Sequence, residues 1–322
     1  MENPFNRAKE DLGNIVMLEH VNVEIPDQKL ASEFYLVGLG LTRDPYLFPG
    51  TNNMWINVGR SQFHLPTGDP LVLRGHVGLV VPDLEALLAR LSAAKKALAD
   101  TKFACRERND YVEASCPWGN RIHLHAPDCE RFGPVTLGMP YVAFDVPEGT
   151  ADGIARFYRE IMGAAATVEN GGDRAARIMV GPHQCLLFRE SDKKLPDYDG
   201  HHIQIYVENF SAPHDCLAER GLVTEESDQY QYRFQDIVDL DSGKCLFTIE
   251  HEVRSLTHPL YGRRLVNRNP AQTNRSYQLG ADEWNWALPV DNSKTGMRAP
   301  KAAEAATPFA KRRARRLGQQ GM

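Results

Sequence analysis

The chain has 322 residues and a formal net charge of −5, with 42% hydrophobic and 25% charged residues. These are ordinary globular values, and the mild negative charge gives no electrostatic reason to expect nucleic acid or an acidic membrane surface as a partner. The sequence has no run of about eighteen apolar residues and no apolar stretch near Met1, so neither a spanning helix nor a secretory signal is predicted.

The cysteines are scattered along the chain, and their spacing matches neither a metal-binding C-x-x-C pair nor a compact disulfide framework. We therefore predict reduced thiols and a cytoplasmic protein. The six are Cys105, Cys116, Cys129, Cys185, Cys216 and Cys245.

One short pattern recurs four times, and it is the most informative feature of the sequence. Each copy alternates polar and apolar residues, which is typical of a strand with one buried face. Each copy ends at proline or an acidic residue. The copies are residues 20–26 (HVNVEIP), 76–82 (HVGLVVP), 141–147 (YVAFDVP) and 202–208 (HIQIYVE).

A helical stretch follows each copy, and three short strand-like runs follow each helix. The clearest helix is predicted over 84–91, where Asp83 is a candidate N-cap. Weaker helical patterns cover 28–37, 150–162 and 211–220. The strand-like runs are 41–47, 52–58 and 61–66; 103–109, 111–116 and 120–126; 165–169, 174–181 and 184–189; and 222–225, 231–239 and 244–251.

The predicted fold is therefore α+β, with four tandem β-α-β-β-β modules. A single curl of four strands exposes its polar face, so we expect the modules to pair into two domains. Residues 12–128 would form an N-terminal pair with a metal site, and residues 137–252 a C-terminal pair without one. Residues 253–322 form an extension, of which 256–296 should wrap the body and the remainder is a basic tail.

Four histidines occupy matching places in the first two modules. His20 and His76 begin the first strands, while His64 and His123 lie on the last strands. Alternation puts all four on the polar faces, opposite apolar neighbours such as Val21 and Ile122. Packing alone has no reason to select histidine each time, and imidazole suits several transition metals. We therefore predict that these four side chains converge on one metal ion.

The C-terminal half does not repeat this set. Tyr141 replaces the first histidine, and Leu186 falls where the second would be. His202 remains, with Glu250 or Thr248 near the matching place on the last strand, and His201, His202, Glu250 and His251 could form a partial site. We expect no tight metal there, so that His202→Ala would leave the metal content unchanged.

The repeated first strand and the Gly119–Leu124 turn and strand resemble the vicinal oxygen chelate superfamily over residues 15–252. That superfamily includes glyoxalase I, resistance proteins for bleomycin and fosfomycin, an epimerase and extradiol dioxygenases. The resemblance implies metal ligands on the first and last strands of paired modules, which are His20, His64, His76 and His123 here. The fold alone leaves the chemistry open.

Two departures from the family bear on function. Four-module dioxygenases of the family place their metal in the C-terminal pair, where this chain has Tyr141. Glyoxalase-like members use glutamate ligands, whereas the expected set here is all histidine. Glu24 and Glu113 are then the candidate catalytic carboxylates, acting from the cavity wall. The candidate substrate-pocket residues are Asn22, Trp55, Asn57, Arg108 and His125.

The leading hypothesis is a metal-dependent, dioxygenase-like oxygenase that acts on a small vicinal-oxygen substrate. One alternative is a glyoxalase or epimerase type of lyase or isomerase that proceeds through an enediolate, and another is a binding protein of the resistance type without turnover. The expected cofactor is a divalent transition metal, with Fe favoured over Zn, Ni, Co, Mn or Cu. The expected partner is a small molecule, with a homodimer as a further option, and neither nucleic acid nor membrane.

Overall fold

The computed structural model describes residues 5–44, 47, 52–263 and 265. The predicted order of elements is confirmed, and four β-α-β-β-β modules follow one another along the chain. A short 3-10 turn, Arg7–Glu10, precedes them. Within the described ranges, no helix is long and apolar enough to cross a membrane, and the six cysteines are free thiols.

The first two modules cover the N-terminal half. Module one consists of β1 (Ile15–Asn22), α1 (Gln28–Ala31) with a π-helical continuation over Ser32–Gly38, β2 (Thr42–Arg43), β3 (Asn53–Val58) and β4 (Ser61–Pro66). Module two consists of β5 (Gly75–Val80), α2 (Leu84–Ala94), β6 (Ala104–Glu107), β7 (Val112–Ser115) and β8 (Arg121–His125).

The short helix α3 (Cys129–Phe132) connects the halves. Module three consists of β9 (Gly138–Pro147), α4 (Ala151–Glu160), β10 (Ala166–Glu169), β11 (Ala175–Gly181) and β12 (Gln184–Ser191). Module four consists of β13 (His202–Val207), α5 (Ser211–Glu219), β14 (Val223–Asp228), β15 (Gln231–Val238) and β16 (Cys245–Ser255).

Local chemistry accounts for several boundaries. The Asp27 and Asp83 side chains accept hydrogen bonds from backbone N–H groups at the start of α1 and α2, as predicted for Asp83. Gly59 makes the turn between β3 and β4 with a φ of 62°, a conformation that disfavours side chains.

The modules pair differently from the expectation. One eight-stranded sheet joins modules one and four through antiparallel β1 and β13, and the other joins modules two and three through antiparallel β5 and β9. The expected pairing within 12–128 and within 137–252 is therefore wrong. Alternation determines which face of a strand is buried, but it does not determine which edge pairs with which neighbour.

Helix α4 lies between the two sheets. Helix α4 contacts β10, β11 and β12 of its own sheet and also β15 and β16 of the other, while α2 packs on the π-helical segment of module one. The apolar faces of both sheets contribute to one continuous core. The polar faces point away from that core, so each sheet has its own polar surface. We call the polar face of the β1–β13 sheet the first face and that of the β5–β9 sheet the second face.

The start of the C-terminal extension packs against the first sheet. Arg263 pairs with the buried Asp44 at 2.8 Å, and the ring of Tyr261 lies 4.9 Å from that of Tyr206. This agrees with the expected wrapping for the residues up to 263. Residues 266–322, which include the predicted basic tail, lie outside the described part of the chain, as do residues 45 and 46 of the predicted 41–47 strand.

The pairing of modules two and three can be tested at Gly75. A Cβ there would lie 1.8 Å from the Ala143 carbonyl oxygen on β9, so Gly75→Ala should force the two strands apart. We expect a loss of about 3 kcal/mol in the free energy of unfolding, measured by denaturant titration.

The matched control is Gly149→Ala, where φ is 78° and no atom lies within 4 Å of the added Cβ. This variant should lose only the cost of a left-handed alanine, about 1–2 kcal/mol. Equal losses in the two variants would contradict the β5–β9 pairing.

Candidate metal centre

The first face brings polar residues from four strands together. On β1, His20 lies opposite Gln62 of β4 and Gln204 of β13. Asn22 lies opposite His64 and His202, one on each side. The junction between modules one and four therefore collects side chains from both.

Three imidazoles meet at this junction. One nitrogen from each of His20, His64 and His202 lies within 4.8 Å of the other two. The ring of His20 is 5.6 Å from that of His64 and 5.7 Å from that of His202. The Nε2 atoms of all three are buried without a hydrogen-bond partner. A buried polar atom without a partner is costly, so this junction is suited to a group that three imidazoles can bind.

The other ring nitrogens of these histidines have polar neighbours. His20 Nδ1 lies 2.9 Å from Glu19 Oε2, so its N–H can donate to that carboxylate. His64 Nδ1 lies 2.7 Å from Asn22 Nδ2, whose N–H can donate to it. His202 Nδ1 lies 3.5 Å from Glu250 Oε1. Such contacts hold the three rings in place at the junction.

Burial also keeps the three rings in the form that metals require. Desolvation lowers the pKa of His20 and His202 well below the ordinary value, and it lowers that of His64 to about 2. Positive charge on Arg254 and Arg233 acts in the same direction. The histidines are therefore neutral near pH 7, with lone pairs available.

A carboxylate stands beside the triad. Glu252 Oε2 lies 3.6 Å from His202 Nε2, and Glu252 is 3% exposed. Arg233 and Arg254 form ion pairs with it at 2.5 and 2.6 Å. Burial raises the pKa of Glu252 more than these guanidinium groups lower it. Glu252 could thus serve as a fourth ligand or as a group that moves a proton.

The wall of the first face includes two of the predicted pocket residues. Trp55 stacks on His64 with 3.8 Å between ring centres. The Asn57 side-chain carbonyl accepts a hydrogen bond from Gln62 at 2.6 Å, and its amide donates to the Leu265 carbonyl. Arg263 donates to the Gln62 carbonyl at 2.6 Å, so the C-terminal extension contributes to this wall.

The expected cluster of four histidines is replaced by two clusters. His76 and His123 lie on the second sheet, where their rings stack at 3.7 Å beside Tyr141. His125 Nε2 lies within hydrogen-bond distance of the Tyr141 hydroxyl, at 2.9 Å. The separation follows from the module pairing, which puts modules one and two in different sheets.

The two proposed catalytic carboxylates also lie apart from the triad's immediate contacts. Glu113 pairs with Arg108 at 3.0 Å and lies 3.6 Å from His123, on the second sheet. The Glu24 side chain lies against Gly68, after β4. The catalytic roles of Glu24 and Glu113 remain predictions. Arg108, a predicted pocket residue, lies in the turn between β6 and β7 of the second sheet.

Sequence reasoning underestimated His202 and missed Glu252 and Glu19. The signal for His202 was present, because it begins its strand as His20 does. In module one, His64 lies opposite Asn22, which is two residues after His20. In module four, Glu252 takes the same place, because it lies opposite Gln204, which is two residues after His202. The sequence assigned this place to Glu250 or Thr248. Glu19 was hidden because an irregularity in the pairing between Leu18 and His20 breaks the alternation.

The same register corrects one assignment in module three. Leu187, rather than Leu186, lies opposite Ala143, two residues beyond Tyr141. Leu186 is fully buried in the core. Two of the four ligand positions of the second sheet are therefore Tyr141 and Leu187.

No protein-family model matches the sequence, and no curated protein sequence matches it. Among solved structures, the chain is similar to glyoxalase I from Zea mays, with 13% identity, 77% of this chain and 94% of that chain covered, and a TM-score of 0.49. It is also similar to the cppA protein from Streptococcus pneumoniae TIGR4, with 11% identity, 76% of this chain and 99% of that chain covered, and a TM-score of 0.44. A third similar structure is a 2,3-dioxygenase from Pseudomonas sp. KL28, with 15% identity, 76% of this chain and 93% of that chain covered, and a TM-score of 0.29. At these identities the likeness is one of fold, and the function must be inferred from the side chains.

Proposed function

We propose that the chain is an enzyme that uses a divalent transition metal held by His20, His64 and His202. The observation that supports this most directly is that His20, His64 and His202 each bring one ring nitrogen within 4.8 Å of the other two. Their rings are neutral, and their Nε2 atoms are buried without hydrogen-bond partners. Three donors from one face would leave coordination positions for a substrate. The substrate we infer is a small molecule with two adjacent oxygen atoms, which can chelate such a metal.

The reaction class we favour is oxygenation. Two histidines and one carboxylate with open positions are typical of non-haem Fe(II) oxygenases. Here three histidines lie beside Glu252, whose Oε2 is 3.6 Å from His202 Nε2, and this carboxylate would complete a similar donor set. A bound metal would polarise the chelating oxygens of the substrate. The chain's own contribution is to orient the ligands through Asn22 and Glu19 and to limit water at the site with Trp55.

A second candidate is the lyase or isomerase class, and Glu252 is the observation that favours it. Enolisation needs a group that accepts a proton, and a buried carboxylate with a raised pKa suits that role. Against it, Arg233 and Arg254 are ion-paired with the carboxylate, which weakens it as a base. We therefore favour the oxygenase over the lyase or isomerase. If neither activity is found, the remaining hypothesis is a binding protein without metal.

The first prediction concerns metal content. Protein purified without chelator should contain about one equivalent of transition metal, and His20→Ala, His64→Ala and His202→Ala should each lose most of it, because each removes one of three ligands. The measurement is elemental analysis together with chelator competition.

The controls are His76→Ala and His123→Ala on the second sheet, which should keep the wild-type metal content. If His202→Ala retained metal and His76→Ala lost it, the result would support the four-histidine site predicted from the sequence instead. Wild-type protein without metal, and without uptake of added Fe²⁺ or Zn²⁺, would end the enzyme proposal.

The second prediction separates the two reaction classes through Glu252→Gln, which keeps the shape and removes the charge. If Glu252 is a ligand, Fe²⁺ affinity should fall about 10- to 100-fold in chelator competition. If it moves protons, the affinity should change little. Glu113→Gln, which alters a carboxylate beside His123, is the matched control and should leave Fe²⁺ affinity unchanged.

A further inference from the structure

The second face contains a cavity of about 880 Å³ that the proposed function does not use. Its lining includes polar groups from both modules, His76 and His123 from module two and Tyr141, Arg177 and Arg189 from module three. Ala143, Met179 and Leu187 supply apolar surface. A cavity of this size accommodates a small organic molecule.

The donor set of this cavity is poor for a metal. At the four positions that correspond to His20, His64, His202 and Glu252, the second face has His76, His123, Tyr141 and Leu187. Leucine cannot bind a metal, and burial raises the pKa of the Tyr141 hydroxyl, which keeps it neutral. Among the described residues, the three-ligand group found lies on the first face.

The cavity nevertheless contains buried polar atoms that lack partners. His76 is 4% exposed, and its Nδ1 has no hydrogen-bond partner. The His123 Nε2 and Arg189 Nε atoms are also buried without a hydrogen-bond partner. The residues that carry these atoms line the cavity, so an organic ligand seated there would lie close to unsatisfied polar groups.

Aromatic rings form one wall of the cavity. His123 stacks on His76 at 3.7 Å on one side and on Tyr111 at 4.3 Å on the other. The Tyr141 ring meets His76 edge-on at 5.7 Å. Aromatic walls of this kind favour a flat ring in the ligand.

Three arginines of the lining can meet an anion. Arg131, Arg177 and Arg189 line the cavity together with the exposed carboxylates of Glu10 and Glu130. Each arginine also pairs with a carboxylate outside the lining, which is Asp110, Glu169 and Asp145 respectively. The two histidines contribute no charge near pH 7, because desolvation lowers the pKa of His76 to about 2 and that of His123 to about 4. The Arg189 guanidinium binds Asp145 through Nη2, at 2.8 Å, and its side chain is 34% exposed, which leaves part of the guanidinium open to a ligand. A planar guanidinium suits a carboxylate.

We propose that this cavity is a metal-free binding site for a planar aromatic carboxylate. The ring would lie against the histidine and tyrosine wall, the carboxylate would meet Arg189 and Arg177, and hydroxyl groups on the ring could donate to the neutral imidazoles. The proposal does not depend on metal binding at the first face.

The test is calorimetric titration of full-length, chelator-treated protein with 1-hydroxy-2-naphthoate, beside 1-naphthol, which lacks the carboxylate. We expect binding of the naphthoate and at least tenfold weaker binding of the naphthol. Arg189→Gln should weaken naphthoate binding at least tenfold, which corresponds to about 1.4 kcal/mol. Arg156→Gln, an exposed arginine on α4, is the matched control and should bind as wild type does.

Leu187→Trp provides a second variant in case Arg189→Gln does not fold. It fills the cavity without removing a charge, and it should abolish naphthoate binding while the thermal melting curve stays cooperative. His202→Ala should bind naphthoate normally, which separates this site from the first face. The proposal is overturned if wild type does not bind at millimolar concentration, if Leu187→Trp binds unchanged, or if His202→Ala removes binding.

Discussion

The antiparallel pairing of first strands is the constraint on which the other features depend. Because β1 pairs with β13, the last strands of modules one and four flank the same junction, and His20, His64 and His202 meet there. Because β5 pairs with β9, His76 and His123 meet Tyr141 instead of the other histidines. A different pairing of the same four modules, with every strand unchanged, would bring together a different set of ligands.

The modules and their faces could be predicted from the sequence because alternation is a local property. The side chains of His20, His64, His76 and His123 do lie on polar faces, and within each module the first strand lies beside the last, as in β1-β4-β3-β2. Module pairing is a long-range property. All four first strands have the same alternating pattern, so nothing local distinguishes β13 from β5 as the neighbour of β1. The ligand position on β12 falls on Leu187 and not on Leu186 because of the register between β9 and β12, which composition does not reveal.

Buried charge shapes the first face as much as the histidines do. Glu19 and Glu252 are almost fully buried, and each pairs with Arg254, which is itself buried. An isolated charge in this position would be strongly destabilising, whereas a network of opposite charges compensates part of the desolvation cost. Burial lowers the pKa of the imidazoles and keeps them neutral, and the positive charge of Arg254 and Arg233 in this network acts in the same direction. Removal of Arg254 would therefore disturb both the folding of this face and the state of its ligands.

The two faces show how one scaffold can support two kinds of binding. Both have a histidine at the first and last strands of one module, yet the partner module supplies His202 and Glu252 on one face and Tyr141 and Leu187 on the other. Exchanging an imidazole and a carboxylate for a phenol and an aliphatic chain removes metal donors and opens apolar volume. The arginines that remain near the second cavity then determine its preference for anions. Because a single core lies between the faces, a ligand on either one stabilises the whole chain, and only variants specific to one face can separate their contributions.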